Sequence, residues 1–423
     1  MNRCCRHFVP VAVLLAACGR PAAVDHRMLE VLAPALVTAP GDDATDQRIR
    51  QAQESVRTRA DVANLEQLAS AFLGKARRSG DAGCYKLAER CADAIAIVAP
   101  GDATALLLRG HVLHALHRFH DAEELGRQAV QQRGSFLDHG LLGDALLDQG
   151  RLQQALDCYN TMLALRPCLQ GFVRTAQVRF LRGDLHGARE LLELGRGAGS
   201  RRDPESLAWV QARLGAIALQ TGDSAQALAD ADAALALVPD YPAALLLRGR
   251  TLLARGENEA ASTALVAAAG LCPLPEYLWA AAEALQAAGR RDEAVAAEAR
   301  LRASGAVEDP RTYAQFLLSR NEEPAQALAL LQGELRERSD VFTQAAHALA
   351  LVRTGDPAGA RVAVAAALAE GTREPRLLWQ AGAALLATGD RARAAAVLAT
   401  AAAQAPALLP SEQRELAALR ATL

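Results

Sequence analysis

FLDHGLLGDALLDQGRLQQALDCYNTMLALRP, residues 136–167, holds in one stretch the pattern that decides the fold. Gly143 and Ala155 are small residues on either side of Gly150, Tyr159 follows Ala155, and Pro167 closes the run. A glycine such as Gly150 lets one helix end on a left-handed residue, and the polar residue after it helps to start the next. Pro167 blocks continuation of the second helix. The stretch therefore predicts helix, tight turn, helix. Two small residues on facing helices let the pair approach closely, so enlarging either is expected to cost roughly 1–3 kcal/mol through overpacking.

The same arrangement recurs along the chain. Ala88, Ala122, Ala155, Ala188, Ala227, Ala261, Ala294, Ala327, Ala360 and Ala394 stand 33 or 34 residues apart, with one longer step between Ala188 and Ala227. Five residues ahead of most of them is a glycine, at Gly83, Gly150, Gly183, Gly222, Gly256, Gly289, Gly355 and Gly389. Further ahead lies a second small residue, at Gly110, Gly143, Ala176, Gly215, Gly249, Ala282, Ala348 and Gly382. Prolines follow the second helix at Pro100, Pro167, Pro239, Pro273 and Pro406. A period of this size marks a stacked helical-repeat array. Two units depart from the pattern: the first carries extra residues around Ser79 to Gly83, and the unit of Ala327 has Gln315 and Glu322 where a small and a turn residue are expected. The long step contains a Gly-rich insertion at residues 195–204, to be read either as a hinge or kink in the stack or as a passive surface loop.

Together these residues resemble the tetratricopeptide repeat (TPR), whose pattern runs large apolar, small, large or aromatic, Ala, aromatic, Pro. The resemblance covers residues 61–406 and implies an all-α fold, a right-handed α-solenoid of about ten TPR-like helix-turn-helix units. Composition agrees: 51% of residues are apolar but only 4% aromatic, Ala and Leu dominate, and no Val/Ile-rich alternating run reads as a strand. A repeat array grows along one axis, so 423 residues need no domain break. The formal net charge of −2 gives no ground for a nucleic-acid partner.

Arg3 and Arg6 precede a short apolar stretch from Val9 to Ala17, as in a bacterial secretory signal, and the stretch is too short to span a membrane. Leu15-Ala16-Ala17-Cys18 resembles the lipobox of bacterial lipoproteins. That resemblance implies cleavage before Cys18, acylation of Cys18 as the lipid attachment site, and a lasting membrane anchor. Gly19 after the cysteine, in place of Asp, points to the periplasmic face of the outer membrane. An ordinary cleaved signal with a chance cysteine, leaving a soluble periplasmic or secreted protein, is the alternative. Residues 1–18 are thus read as signal peptide with lipobox and 19–45 as a flexible spacer with a short helix through Met28 to Leu32. Residues 46–60 are read as an N-terminal capping helix, 61–406 as the solenoid, and 407–423 as a C-terminal capping helix with Ser411 as its N-cap.

Five cysteines of the mature chain besides Cys18, namely Cys84, Cys91, Cys158, Cys168 and Cys272, form no CxxC pair or zinc-like spacing and read as buried free thiols. His111, His114, His117 and His120 stand within ten residues. His111 and His114 could share a metal ion, with a metal-binding lipoprotein as one functional alternative, but no carboxylate or cysteine nearby completes a set, and turn and groove roles are the plainer reading. His117 occupies the slot that glycine fills in other units. No acid, base and nucleophile constellation is present, so no enzyme activity and no cofactor are expected.

In the repeat family the first helix of each unit lines the concave face. The resemblance therefore implies a partner-binding groove formed by His111, His114, Asp144, Gln177, Trp209, Arg250, Trp279, Glu283, Phe316 and Trp379. Aromatic residues with Arg and acids suit capture of a peptide or protein partner, although large apolar residues at these positions also pack between repeats. The chain is accordingly expected to be a membrane-anchored scaffold in envelope assembly. An accessory subunit acting in trans with an enzyme such as a glycosyltransferase is a further alternative.

Overall fold

The computed structural model describes residues 26–39 and 41–423. The expected signal peptide, Cys18 and the start of the spacer lie outside the described residues. Among those described there are 23 α-helices and no strand, and no helix is long and apolar enough to cross a membrane.

Ten helix pairs carry the ten recurring alanines. The first helices are Val62–Ser79, Ala103–Ala115, Phe136–Asp148, Leu169–Leu181, Pro204–Gln220, Pro242–Ala254, Pro275–Ala287, Pro310–Ser319, Val341–Arg353 and Pro375–Ala387. Their partners are Ala82–Val98, Phe119–Gln132, Leu152–Leu165, Leu185–Ala198, Ser224–Leu237, Asn258–Leu271, Arg291–Glu308, Pro324–Glu334, Pro357–Ala367 and Arg391–Ala403. We number these pairs as units 1 to 10. Each of the ten alanines is buried at the contact between the two helices of its unit or their neighbours. The small residues of the first helices permit close approach, as expected. A Cβ on Gly143 would lie 2.4 Å from the Tyr159 ring, and one on Gly249 would lie 2.3 Å from Leu265.

Turn chemistry follows the sequence in most units. Gly150, Gly183, Gly222, Gly256, Gly289, Gly355 and Gly389 all have positive φ, and His117 takes the same left-handed conformation at 59°. Asp184, Asp223, Asp356 and Asp390 after four of these glycines cap the next helix through their carboxylates. Two assignments differ. In unit 1 the left-handed residue is Gly80, while Gly83 lies inside the following helix and receives the cap of Asp81. In unit 8 the turn is formed by Asn321 and Glu323, both at positive φ, and not by Glu322. The Gly-rich insertion is a short turn ahead of a first helix of 17 residues. Gly199 is packed there, since a Cβ on it would meet Leu207 at 2.3 Å.

Both ends also differ from expectation. His26–Leu32 is helical as read, but it and the 3-10 turn Ala33–Leu36 are not a free spacer: Met28, Leu32 and Ala35 are buried in one core with unit 1. Gln53 of the helix Ala44–Thr58 holds the carbonyls of Ala35 and Val37. At the other end the helix Pro410–Ala421 begins at Pro410, with Leu409 as N-cap, so Ser411 is not the cap. The backbone N–H of Ser411 donates instead to Glu283 of unit 7 at 3.0 Å, and its hydroxyl meets that of Ser319 in unit 8. The helix packs on the last unit, where Arg391 donates to the carbonyls of Thr422 and Leu423, and its N-terminal end also reaches the inner wall at units 7 and 8.

The superhelix is tight enough for successive turns to touch. The Thr372 hydroxyl donates to the carbonyl of Leu181, 191 residues earlier. At about 34 residues per repeat this makes one turn of between five and six units. Along the same seam Arg182 pairs with Glu370 at 3.7 Å, Arg338 with Asp148 at 3.7 Å, and His120 with Glu337 at 3.2 Å. The largest core crosses it: Leu152 and Leu181 join Trp279, Phe316, Trp379 and the C-terminal Leu408, Leu409 and Leu416.

Candidate interaction groove

The ten groove positions divide between an open and a filled half of the inner wall. In the filled half Trp279, Phe316 and Trp379 have no exposed surface and Glu283 is 3% exposed. The C-terminal segment is what closes over this part of the wall. Glu412 receives two hydrogen bonds from Arg376, at 2.5 and 3.1 Å, and one from the Trp379 indole at 3.4 Å. Arg376 in turn lies 4.6 Å above the Trp279 ring, and Glu415 pairs with Arg353. Burial opposes ionisation of Glu412, but Arg376 and the N–H of Leu409 outweigh it and hold its carboxyl below the usual range. The expected acidic and aromatic groove residues of units 7, 8 and 10 are therefore occupied by the chain itself, a correction to the reading of a groove open along its whole length.

The open half belongs to units 2 to 6. Asp144 accepts from Arg174 at 2.8 and 2.7 Å and from the Tyr159 hydroxyl at 2.9 Å, three bonds that fix its carboxylate in place. His111 stands near this group. Burial, followed by the repulsion of Arg174 and His114, pushes its pKa down to about 4, with Asp144 opposing. His114, three residues on, hydrogen-bonds Asp148 at 2.9 Å, and that bond raises its pKa in spite of burial. His117 lies over Phe119 with ring centroids 5.7 Å apart, and burial and Arg338 lower its pKa to about 4. The four clustered histidines thus have four separate settings. Among the described residues no group of three or more His, Cys, Asp or Glu side chains is placed to hold a metal ion.

Gln177, Trp209 and Arg250 come together around a cavity of about 440 Å3 on the axis of the superhelix. Trp209 is the accessible tryptophan, 37% exposed. Arg250 reaches across to the carbonyl of Ala407 at 2.6 Å and to Glu276 at 3.5 Å. Arg213 also lines the cavity and escaped sequence reasoning, although its place one helical turn after Trp209 was a usable signal. The C-terminal occupant of the wall had no such signal, because its contacts with units 7 and 8 join residues 128 and 92 positions apart.

Cys84, Cys91 and Cys272 are buried free thiols as expected, whereas Cys158 and Cys168 are half-buried. Burial, and for Cys84 and Cys91 a nearby carboxylate, pushes Cys84 and Cys272 up to about 11 and Cys91 to about 12, which leaves them poor nucleophiles.

The tetratricopeptide repeat family profile matches residues 141–203 and 213–274, units 3 to 6 of the array. These units are tetratricopeptide repeats. PilF of Pseudomonas aeruginosa is 18% identical, with 51% of this chain and 96% of that chain covered and a TM-score of 0.40. A tetratricopeptide repeat protein from Parabacteroides merdae is 15% identical over 59% of this chain and 98% of its own, with a TM-score of 0.39. Cut9–Hcn1 of the APC/C is 14% identical over 92% and 98%, with a TM-score of 0.39. A search of curated proteins returned no match. Tetratricopeptide repeats are interaction modules that bind peptides or other proteins.

Proposed function

We propose that this TPR protein is a lipid-anchored scaffold at the periplasmic face of the bacterial outer membrane, binding a peptide or protein partner along the open half of its inner wall during envelope assembly. The tether rests on Leu15-Ala16-Ala17-Cys18. The partner surface rests on one observation: of the three tryptophans on first helices, Trp279 and Trp379 are sealed beneath the C-terminal segment while Trp209 remains exposed on the wall. A large exposed aromatic bordered by Arg213 and Gln177 supplies apolar area and hydrogen bonding together, the combination that anchors interfaces. The decisive experiment crosslinks the protein in intact cells and compares wild type with Cys18→Ser and Trp209→Ala. A defined partner captured by wild type, lost with Cys18→Ser and reduced with Trp209→Ala at unchanged helicity supports the reading. Equal capture by the Cys18→Ser form makes the anchor incidental. Equal capture by Trp209→Ala removes the partner from the inner wall.

A further inference from the structure

The cavity on the superhelix axis contains a charge that the chain leaves unanswered. Four arginines line it: Arg213, Arg250, Arg311 and Arg376. Three have carboxylate partners, Arg250 in Glu276 at 3.5 Å, Arg311 in Asp340 at 3.0 Å, and Arg376 in Glu412. Arg213 has none within 4 Å among the described residues. Its single hydrogen bond goes to the side-chain carbonyl of Gln177 at 2.8 Å, although a guanidinium carries five N–H donors. The group lies 5.6 Å from the centre of the Phe180 ring and 5.9 Å from that of Trp209. Burial lowers its pKa, with only the more distant Glu276 acting against it. Arg213 is half-buried, and a guanidinium partly withdrawn from water without an anion carries a cost that the aromatic faces offset only in part.

The rest of the cavity fits a particular kind of anion. At about 440 Å3 it lies in the range of sites for small molecules. Phe180, Trp209, Tyr277 and Phe342 give it aromatic walls, and the second carboxylate on its lining, Glu374, is engaged by the N–H of Leu377 at 2.8 Å. Guanidinium and carboxylate match as planar, two-toothed partners. We propose that this cavity is a binding site for a small organic acid, with its carboxylate on Arg213 and an apolar or aromatic body between the surrounding rings. The site shares Gln177, Trp209 and Arg213 with the partner surface proposed above, but it is read on the purified protein without any partner, so failure of one reading is distinguishable from failure of the other.

Calorimetric titration of the purified protein with benzoate and with N-acetyl-L-phenylalanine, each beside its neutral amide, tests this. Saturable binding of at least one acid to one site, with the matching amide at least tenfold weaker, is the expected result. Arg213→Gln is expected to lose tenfold or more in affinity for that acid at unchanged helicity and Tm, with Arg213→Lys intermediate. Absence of binding by both acids, equal affinity for acid and amide, or unchanged affinity in Arg213→Gln overturns the proposal. The acid and amide comparison is made on the wild-type chain, so it decides the matter even where the variant fails to fold.

Discussion

Single residues set the packing distances and the pH response. Gly143 is enclosed by the Tyr159 ring on the partner helix, so Gly143→Ala is expected to destabilise the protein by roughly 1–3 kcal/mol in urea denaturation. His111 and His114 respond to pH in opposite senses although they are three residues apart. His111 titrates at about 4 when folded and near 6.5 when unfolded, so between those values the unfolded chain holds more protons. Its contribution is complete above pH 6.5 and is lost as the pH falls toward 4. The folded pKa of His114 is raised by Asp148, so its contribution is complete below 6.5 and is lost as the pH rises through the folded value. Denaturation midpoints measured from pH 4 to 8 are expected to fall less steeply on the acid side in His111→Asn than in wild type. In His114→Asn the decline on the neutral side is expected to flatten. The positions of these residues were legible, since Gly110 and His111 stand where most units carry a small residue and its inward neighbour. Their electrostatics were not legible, because Arg174 belongs to the next unit but one.

At the scale of elements, the C-terminal helix matters most. Its sequence, Pro410-Ser411-Glu412, has the composition of a helix start, and a helix is what forms. The same letters do not say which face of the last unit it packs on. Glu412 decides: it is fully buried beside Arg376 and the Trp379 indole. Removing one partner of such a pair leaves an uncompensated buried charge, so Glu412→Ala is expected to cost about 3–5 kcal/mol. Truncation after Gln404 is expected to keep units 1 to 6 helical while shifting tryptophan emission to the red, as Trp279 and Trp379 meet water. Unchanged emission would show that the segment does not cover them. The short helix at residues 26–32 was likewise readable from its apolar residues, whereas its burial against unit 1 depends on a surface that forms only when that unit has folded.

For the whole molecule, the defining feature is contact between successive turns. At Gly183 a Cβ would lie 2.4 Å from the carbonyl oxygen of Gly371 in the next turn, while Gly389, at similar positive φ, faces open space. Gly389→Ala should therefore suffer only the backbone penalty of about 1 kcal/mol, and Gly183→Ala considerably more. Small-angle scattering provides the readout: Gly183→Ala is expected to increase the radius of gyration at constant helicity, as the seam around Thr372, Arg338 and Asp148 parts. An unchanged radius would mean that the seam absorbs the added methyl group.

The recurrence of small residue, glycine and alanine in the chain was enough to specify ten helix pairs and most of their turns, because those features act over a few residues or between neighbouring helices. The exceptions, Gly80 and Asn321, lie where the repeat had already drifted from its pattern. How tightly the stack winds, which half of its inner wall stays open, and which arginine is left without a carboxylate depend on small rotations between units summed over five or six of them. No local pattern encodes that sum. It emerges only when residues nearly two hundred positions apart come into contact.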